Sequence, residues 1–134
     1  MLLKLRAGEK LYINGAVIKV ERKATIELLN DATFLLEAHV LQPEEASTPL
    51  RQLYFVLQTQ LMDHGAAPAT KRMFKAMLAD TCAAFAIDRV SEGLRVAGAL
   101  AEADRVFEGL KAIRALFPLE AELMRENRPT PAAA

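Results

Sequence analysis

The sequence predicts an α+β protein, a small N-terminal antiparallel β meander or barrel followed by a three-helix C-terminal unit. Three observations carry that expectation. Apolar and polar residues alternate over the first 40 positions, apolar residues recur at helical spacing from position 50 onward, and the change of period falls on a segment bounded by Pro43 and Pro49. Alternation sends successive side chains to opposite faces of a strand, whereas helical spacing lines one face of a helix, so the change of period marks a change of architecture.

In residues 2–6, Leu3 and Leu5 share one side and Lys4 and Arg6 the other, as in a half-buried strand. Ala7-Gly8-Glu9 turns the chain. Leu11-Tyr12-Ile13 is a second strand, closed by Asn14-Gly15, the dipeptide that most readily supplies two residues at positive φ for a tight hairpin. The chain returns through residues 16–21, turns at Arg22-Lys23, and resumes a strand over 24–29. Asn30-Asp31 is a turn pair before an extended run at Thr33-Phe34-Leu35-Leu36. The apolar face of so small a sheet needs a cover, supplied by the helices or by a second copy of the chain.

Pro43 and Pro49 push the residues before them into extended geometry, which predicts a stiff connector over 41–48. Thr48-Pro49 opens the first helix, because a hydroxyl caps orphan amides and proline at the first helical position loses no useful donor. Leu50, Leu53, Tyr54, Leu57 and Leu61 form its apolar stripe, and it runs to about His64, whose side chain suits the negative helix end. Thr70 is expected to cap a second helix through about Val90, with Met73, Met77, Leu78, Cys82 and Phe85 as its stripe. Ser91-Glu92-Gly93 then interrupts, and a third helix runs from about Glu92 to Phe117, burying Leu100, Ala103, Phe107, Leu110 and Ile113. Pro118 ends it before a short turn at 119–124. The expected division is therefore a β unit at 1–40, a connector at 41–48, a helical unit at 49–125 and a disordered tail at 126–134.

A chain of 134 residues with 52% apolar and 25% charged residues has a globular composition, enough for one domain with its own core. Seventeen basic residues balance seventeen acidic ones, so an anionic partner must be met by a local patch rather than a global field. The single cysteine, Cys82, reads as a small core residue and fits a reducing compartment. Charges interrupt every long apolar stretch, so no membrane span and a cytoplasmic location are expected.

Catalytic patterns are missing: there is no glycine-rich phosphate loop, paired metal-ligand spacing or nucleophile elbow, so no enzyme, cofactor or metal site is expected. His39 reads as structural. Glu44 and Glu45 are adjacent on an extended segment and point apart, so they read as capping or pairing groups rather than a shared acid/base site. Basic residues cluster at Lys4 with Arg6, at Lys19 with Arg22 and Lys23, and at Lys71 with Arg72 and Lys75. The first two clusters are candidates to position a phosphate backbone, with Glu9, Glu21 and Glu27 arguing instead for an ordinary solvated surface. Lys71 and Arg72 stand at a helix start, where the dipole opposes cations, which makes them candidates for an anion or partner site. Tyr12, Tyr54 and Phe55 are either base-stacking groups or core, with Phe55 beside the helix stripe and free to serve an interface.

Gly8-Glu9-Lys10 with Ile13-Asn14-Gly15-Ala16-Val17, then Leu41-Gln42-Pro43-Glu44-Glu45-Ala46, Thr48-Pro49 and Arg51 leading to Tyr54-Phe55, resembles the FlbT family of flagellum biosynthesis repressors over almost the whole chain. Where that family has two basic residues before the tyrosine, this chain has Arg51-Gln52-Leu53. The resemblance implies a cytoplasmic, non-enzymatic regulator that binds the 5′ untranslated region of flagellin mRNA, lowers translation and hastens decay, with a link to FlaF-type flagellin regulators. Within the first 40 residues, Met1-Leu2-Leu3 with Gly8-Glu9-Lys10-Leu11-Tyr12-Ile13 and Val17-Ile18-Lys19-Val20 also looks like the opening of the CsrA family of small β-stranded translational repressors, which act as dimers, and this implies a homodimer through the β part.

Two readings stay open. In one, Lys4, Arg6, Lys19, Arg22 and Lys23 position the flagellin mRNA leader. In the other, the chain is a protein adaptor for flagellin or a flagellar co-regulator, using Met62, Met73 and Met77. Glu44, Glu45, Arg51, Phe55, Lys71 and Arg72 are the candidate partner contacts in either case.

Overall fold

In the computed structural model, which describes residues 2–30, 32, 34–63, 67–85 and 88–126, strands precede helices as the periodicity requires. The strands are β1 (Leu2–Leu5), β2 (Lys10–Ile13), β3 (Ala16–Lys19), β4 (Ala24–Glu27) and β5 (Phe34–Leu36). Asn14 and Gly15 sit at φ 49° and 84°, the two positive angles that a tight hairpin needs. The strands do not form a simple meander. β1 pairs with β4 in one antiparallel sheet, and β3-β2-β5 form a second.

The reason lies in the register. Leu5 opposes Ala24 and Lys10 opposes Lys19, so both ladders continue the alignment set at the Asn14-Gly15 turn. The four strands are two arms of one long hairpin, interrupted at residues 6–9 and 20–23. Gly8, at φ 81°, donates its amide to the Val20 carbonyl at 2.7 Å, and the Val20 amide donates to Glu9 at 3.2 Å, so the arms stay side by side through the interruption.

The helices are α1 (Pro49–Met62), α2 (Ala67–Ala84), α3 (Asp88–Glu102), α4 (Val106–Arg114) and α5 (Phe117–Glu126). The expected α1 stripe is buried throughout. The three-helix arrangement is corrected to five helices among the described residues, for local reasons. Thr70 does not cap α2. That helix already begins at Ala67, with Pro68 in its first turn, and the Thr70 hydroxyl donates to the Ala67 carbonyl inside the same turn. Of the expected stripe, Met77, Leu78, Cys82 and Phe85 pack against the large core, whereas Phe74 is buried in place of Met73, which is 55% exposed. Ser91-Glu92-Gly93 is not a break. It lies within α3, where Gly93 serves helix packing: a Cβ there would meet the Leu116 side chain at 2.8 Å.

The expected third helix breaks at Asp104. The Asp104 amide donates to Ala101 at 3.1 Å and the Arg105 amide to Leu100 at 2.8 Å, the paired bonds of a Schellman ending, with Asp104 at φ 60° in the left-handed region where glycine is usual. Ala103, expected in the core, is exposed there. Pro118 falls in the first turn of α5, so it starts a helix rather than merely stopping one. His64, Asp31, Thr33 and the tail from residue 127 lie outside the described residues.

The connector contains a single 3-10 turn at Pro43–Glu45, and another at Glu37–His39 precedes it. Gln42 and Thr48, the residues before the prolines, are extended as expected. Side chains of α1 satisfy the connector backbone. Gln58, buried, accepts from the Leu41 amide at 2.7 Å and donates to the Leu41 carbonyl at 2.9 Å. One turn earlier, the Tyr54 hydroxyl donates to the His39 carbonyl at 2.5 Å and accepts from Arg114 at 3.2 Å. Burial raises the Tyr54 pKa, with Arg114 opposing the shift.

Two cores meet at β5. Leu3, Leu5, Leu11 and Phe34 form the smaller one, and Phe34 stacks on Phe107 of α4 with ring centroids 4.8 Å apart. Leu35, on the opposite face of the same strand, enters the large core built on α1, α3 and α4. The helices thus cover β5, while β3 is exposed along its length, with Val17 62% and Ile18 41% exposed.

Burial, assisted by the Arg114 charge, lowers the His39 pKa below its ordinary 6.5. Its Nδ1 is buried without a hydrogen-bond partner among the described residues, so an added proton there would meet no acceptor. The unfolded chain accepts that proton more readily than the folded one, so this contribution to stability is full above about pH 6.5 and is lost as pH falls below it. Denaturation midpoints measured between pH 7 and 5 are expected to fall further in the natural protein than in His39→Gln.

Candidate functional site

The interruption in the long hairpin gathers cations. Arg6 and Lys23 stand one step beyond the Leu5–Ala24 pair that ends the β1–β4 ladder. Lys10 and Lys19 oppose each other at the end of the β2–β3 ladder, and Arg22 lies in the stretch that joins the two ladders. All five side chains are exposed. Alternation along β1 buries Leu3 and Leu5 and turns Lys4 outward, on the same side as Arg6 and opposite Thr25, so Lys4 extends the basic stripe. Four of the five candidate phosphate contacts therefore meet at one place, with Lys4 leading up to it. Lys10 joins them unforeseen.

Like charges placed directly opposite across a ladder destabilise it. The Lys10–Lys19 pair is not relieved by any ion pair. None of Lys4, Arg6, Lys10, Lys19, Arg22 and Lys23 makes one with a described residue, whereas Lys71–Asp104, Lys75–Glu102 and Arg105–Glu108 all do so in the helical part. Two carboxylates lie in the interruption, and one of them, Glu9, accepts from the Arg6 backbone amide at 3.2 Å. An anionic ligand would find the cations unpaired and already close together, which limits the reorganisation needed to bind it. The signal for Lys10 was in the sequence, because the Asn14-Gly15 turn fixes which residues face each other.

The candidate partner residues do not form one surface. Glu44 is exposed, while Glu45 accepts from the Gln42 amide at 3.0 Å and so closes its own turn. Arg51 lays its guanidinium 4.5 Å from the Phe117 ring centre, tying α1 to α5. Phe55 and Tyr12 are half-buried against the large core, and Tyr54 is fully buried, with its ring edge-on to Phe117 at 5.5 Å. The aromatic groups are thus core or its margin. Lys71 and Arg72 share a groove with Gln60, about 13 Å along α1 from Arg51. Lys71 is paired with Asp104 at 3.3 Å, and Arg72 is exposed.

Sequence reasoning missed Glu120. This α5 carboxylate is buried and caps α1 from a distance: Thr48 Oγ1 donates to one oxygen at 2.5 Å and the Leu50 amide to the other at 2.8 Å. Among the described residues, no group of three His, Cys, Asp or Glu side chains could hold a metal ion, and no helix is long and apolar enough to cross a membrane.

A family model described as flagellar protein FlbT matches residues 1–124. A probable flagellum biosynthesis repressor protein FlbT from Chelativorans sp. (strain BNC1) is 50% identical over 94% of this chain and 87% of its own length. The similarly named protein of Mesorhizobium japonicum is 45% identical over 98% of this chain and 89% of its own, and that of Brucella ovis 51% identical over 91% and 80%. No solved structure matches the chain.

Proposed function

Because the chain belongs to the FlbT family of flagellar proteins, we propose that it represses flagellum biosynthesis by binding the 5′ untranslated leader of flagellin mRNA, lowering its translation and promoting its decay. One observation supports the RNA step most directly: the unpaired cations Arg6, Lys10, Lys19, Arg22 and Lys23 gathered at the hairpin interruption. Lysine and arginine at such spacing neutralise successive phosphates and release counterions, which supplies affinity and fixes orientation without reading sequence. Bound RNA would sit along this basic stripe, and ribosome access or nuclease access to the leader would change as a consequence.

The test is a titration of purified protein with a flagellin leader transcript at low and high salt, with an unrelated transcript as control. Binding of the leader is expected to weaken steeply as salt rises, because each phosphate contact contributes about −0.7 to the log–log slope for single strands. A salt-independent affinity would remove the basic stripe from the mechanism. The second reading, an adaptor for flagellin or a FlaF-type co-regulator, draws on the exposure of Met73 on α2, a flexible apolar side chain suited to adaptable contacts. It predicts no leader binding at either salt.

A further inference from the structure

α2 packs along α1 and α3 along α4, whereas α2 and α3 meet only sparingly. The trough left between them has a volume of about 750 Å³. One wall runs along α2 from Lys71 to Cys82 and the other along α3 from Ser91 to Glu102, so each wall is about 16 Å, or three helical turns, long. The floor is apolar, with Phe74 and Leu78. Small residues keep the walls low: Ala79 and Ala99 line them, and a Cβ on Gly98 would stand 2.6 Å from Leu78.

Two polar features distinguish the trough from an ordinary packing gap. Gln60, only 6% exposed as a residue, lines it and offers an amide that makes no hydrogen bond to a described residue. The rim is cationic. Lys71 and Lys75 are neutralised by Asp104 and Glu102, at 3.3 Å and 2.7 Å, but Arg72 and Arg95 have no ion pair with a described residue.

We infer that the trough receives an amphipathic helix from a partner protein, its apolar stripe lying between α2 and α3 and carboxylates on its flanks meeting Arg72 and Arg95. Charge complementarity selects the acidic flanks. The two parallel three-turn walls select a helix, whose side chains at i, i+3, i+4 and i+7 would follow them. Gln60 takes a hydrogen bond from a polar side chain of the guest. The trough uses none of the hairpin cations, so this site stands whether or not the protein binds RNA.

The experiment titrates the full-length protein with two fluorescent peptides of about 18 residues, each with the same Leu/Ala stripe, one flanked by Glu and the other by Lys. The Glu peptide is expected to bind saturably and become helical, and the Lys peptide to bind far more weakly. The double variant Arg72→Glu with Arg95→Glu should weaken the Glu peptide by about tenfold or more. A second variant, Ala79→Phe with Ala99→Phe, fills the trough from exposed positions that leave the core untouched, and should abolish binding. Leader RNA binding should be unchanged in both variants, which separates this result from the fate of the RNA reading. Absence of Glu-peptide binding, or equal binding by both variants and the natural protein, would overturn the inference. So would displacement of the peptide by decanoate at comparable affinity, or a homodimer in sedimentation that the Phe variant dissociates.

Discussion

Glu120→Ala is expected to cost about 3 kcal/mol of stability and to lower the melting temperature by about 10 °C, the largest single effect among the polar groups described above. The carboxylate is 1% exposed and both its oxygens are used, one by the Thr48 hydroxyl and one by the Leu50 amide. Leu50 is itself fully buried at the start of α1, so its orphaned amide could not turn to water. Thr48 would lose its acceptor as well, although its oxygen would still take the Arg51 amide at 3.2 Å. A negative charge at that helix end is further favoured by the dipole, and the alanine forfeits this too. Glu120→Gln keeps the side-chain volume and one carbonyl oxygen, so it should fall between the two. Chemical denaturation of the three proteins decides the matter, with exposed Glu122→Ala as a reference expected within about 0.5 kcal/mol of the natural protein. A loss below about 1 kcal/mol for the alanine would mean that water replaces the carboxylate at the helix end.

The triple reversal Lys19→Glu, Arg22→Glu, Lys23→Glu should weaken leader binding about 100-fold or more at low salt and flatten the log–log salt slope by about 2. Removing three phosphate contacts accounts for the slope, and the added repulsion accounts for a loss larger than neutral substitution would give. The fold should survive, since all three side chains are exposed and Lys19 opposes Lys10, a repulsion that the reversal turns into attraction. Thermal melts on the same samples check this. Exposed Lys111→Glu on α4 alters the charge equally per site but lies outside the hairpin, and should leave leader affinity nearly unchanged. Equal effects from both substitutions would reduce the binding to net charge.

Much of the fold was legible because its determinants are local. Alternation set β1, the Asn14-Gly15 pair set the hairpin and its register, and Thr48-Pro49 with the stripe Leu50 to Leu61 set α1. The errors came where one residue type serves two purposes. Gly93 is read as a break but permits close approach of Leu116, Asp104 takes a left-handed angle usually left to glycine, and Pro118 lies in the first turn of a helix where it was read as ending one. Glu120 could not be found from sequence, because its partners lie 70 and 72 positions away and no spacing rule links them. The candidate basic residues were legible as clusters. Their meeting point was not, since that needs the pairing of β1 with β4.

Strand β5 has only three residues, yet Phe34 belongs to the β core and Leu35 to the helical core. The strand therefore transmits free energy between the two halves. Opening the sheet removes Leu35 from the helices, and loosening α4 removes Phe107 from Phe34, so each half loses part of its own stability when the other melts. A chain with two compositionally distinct parts thereby behaves as one cooperative unit, and a ligand held on the hairpin alone would protect helical amides from exchange with solvent.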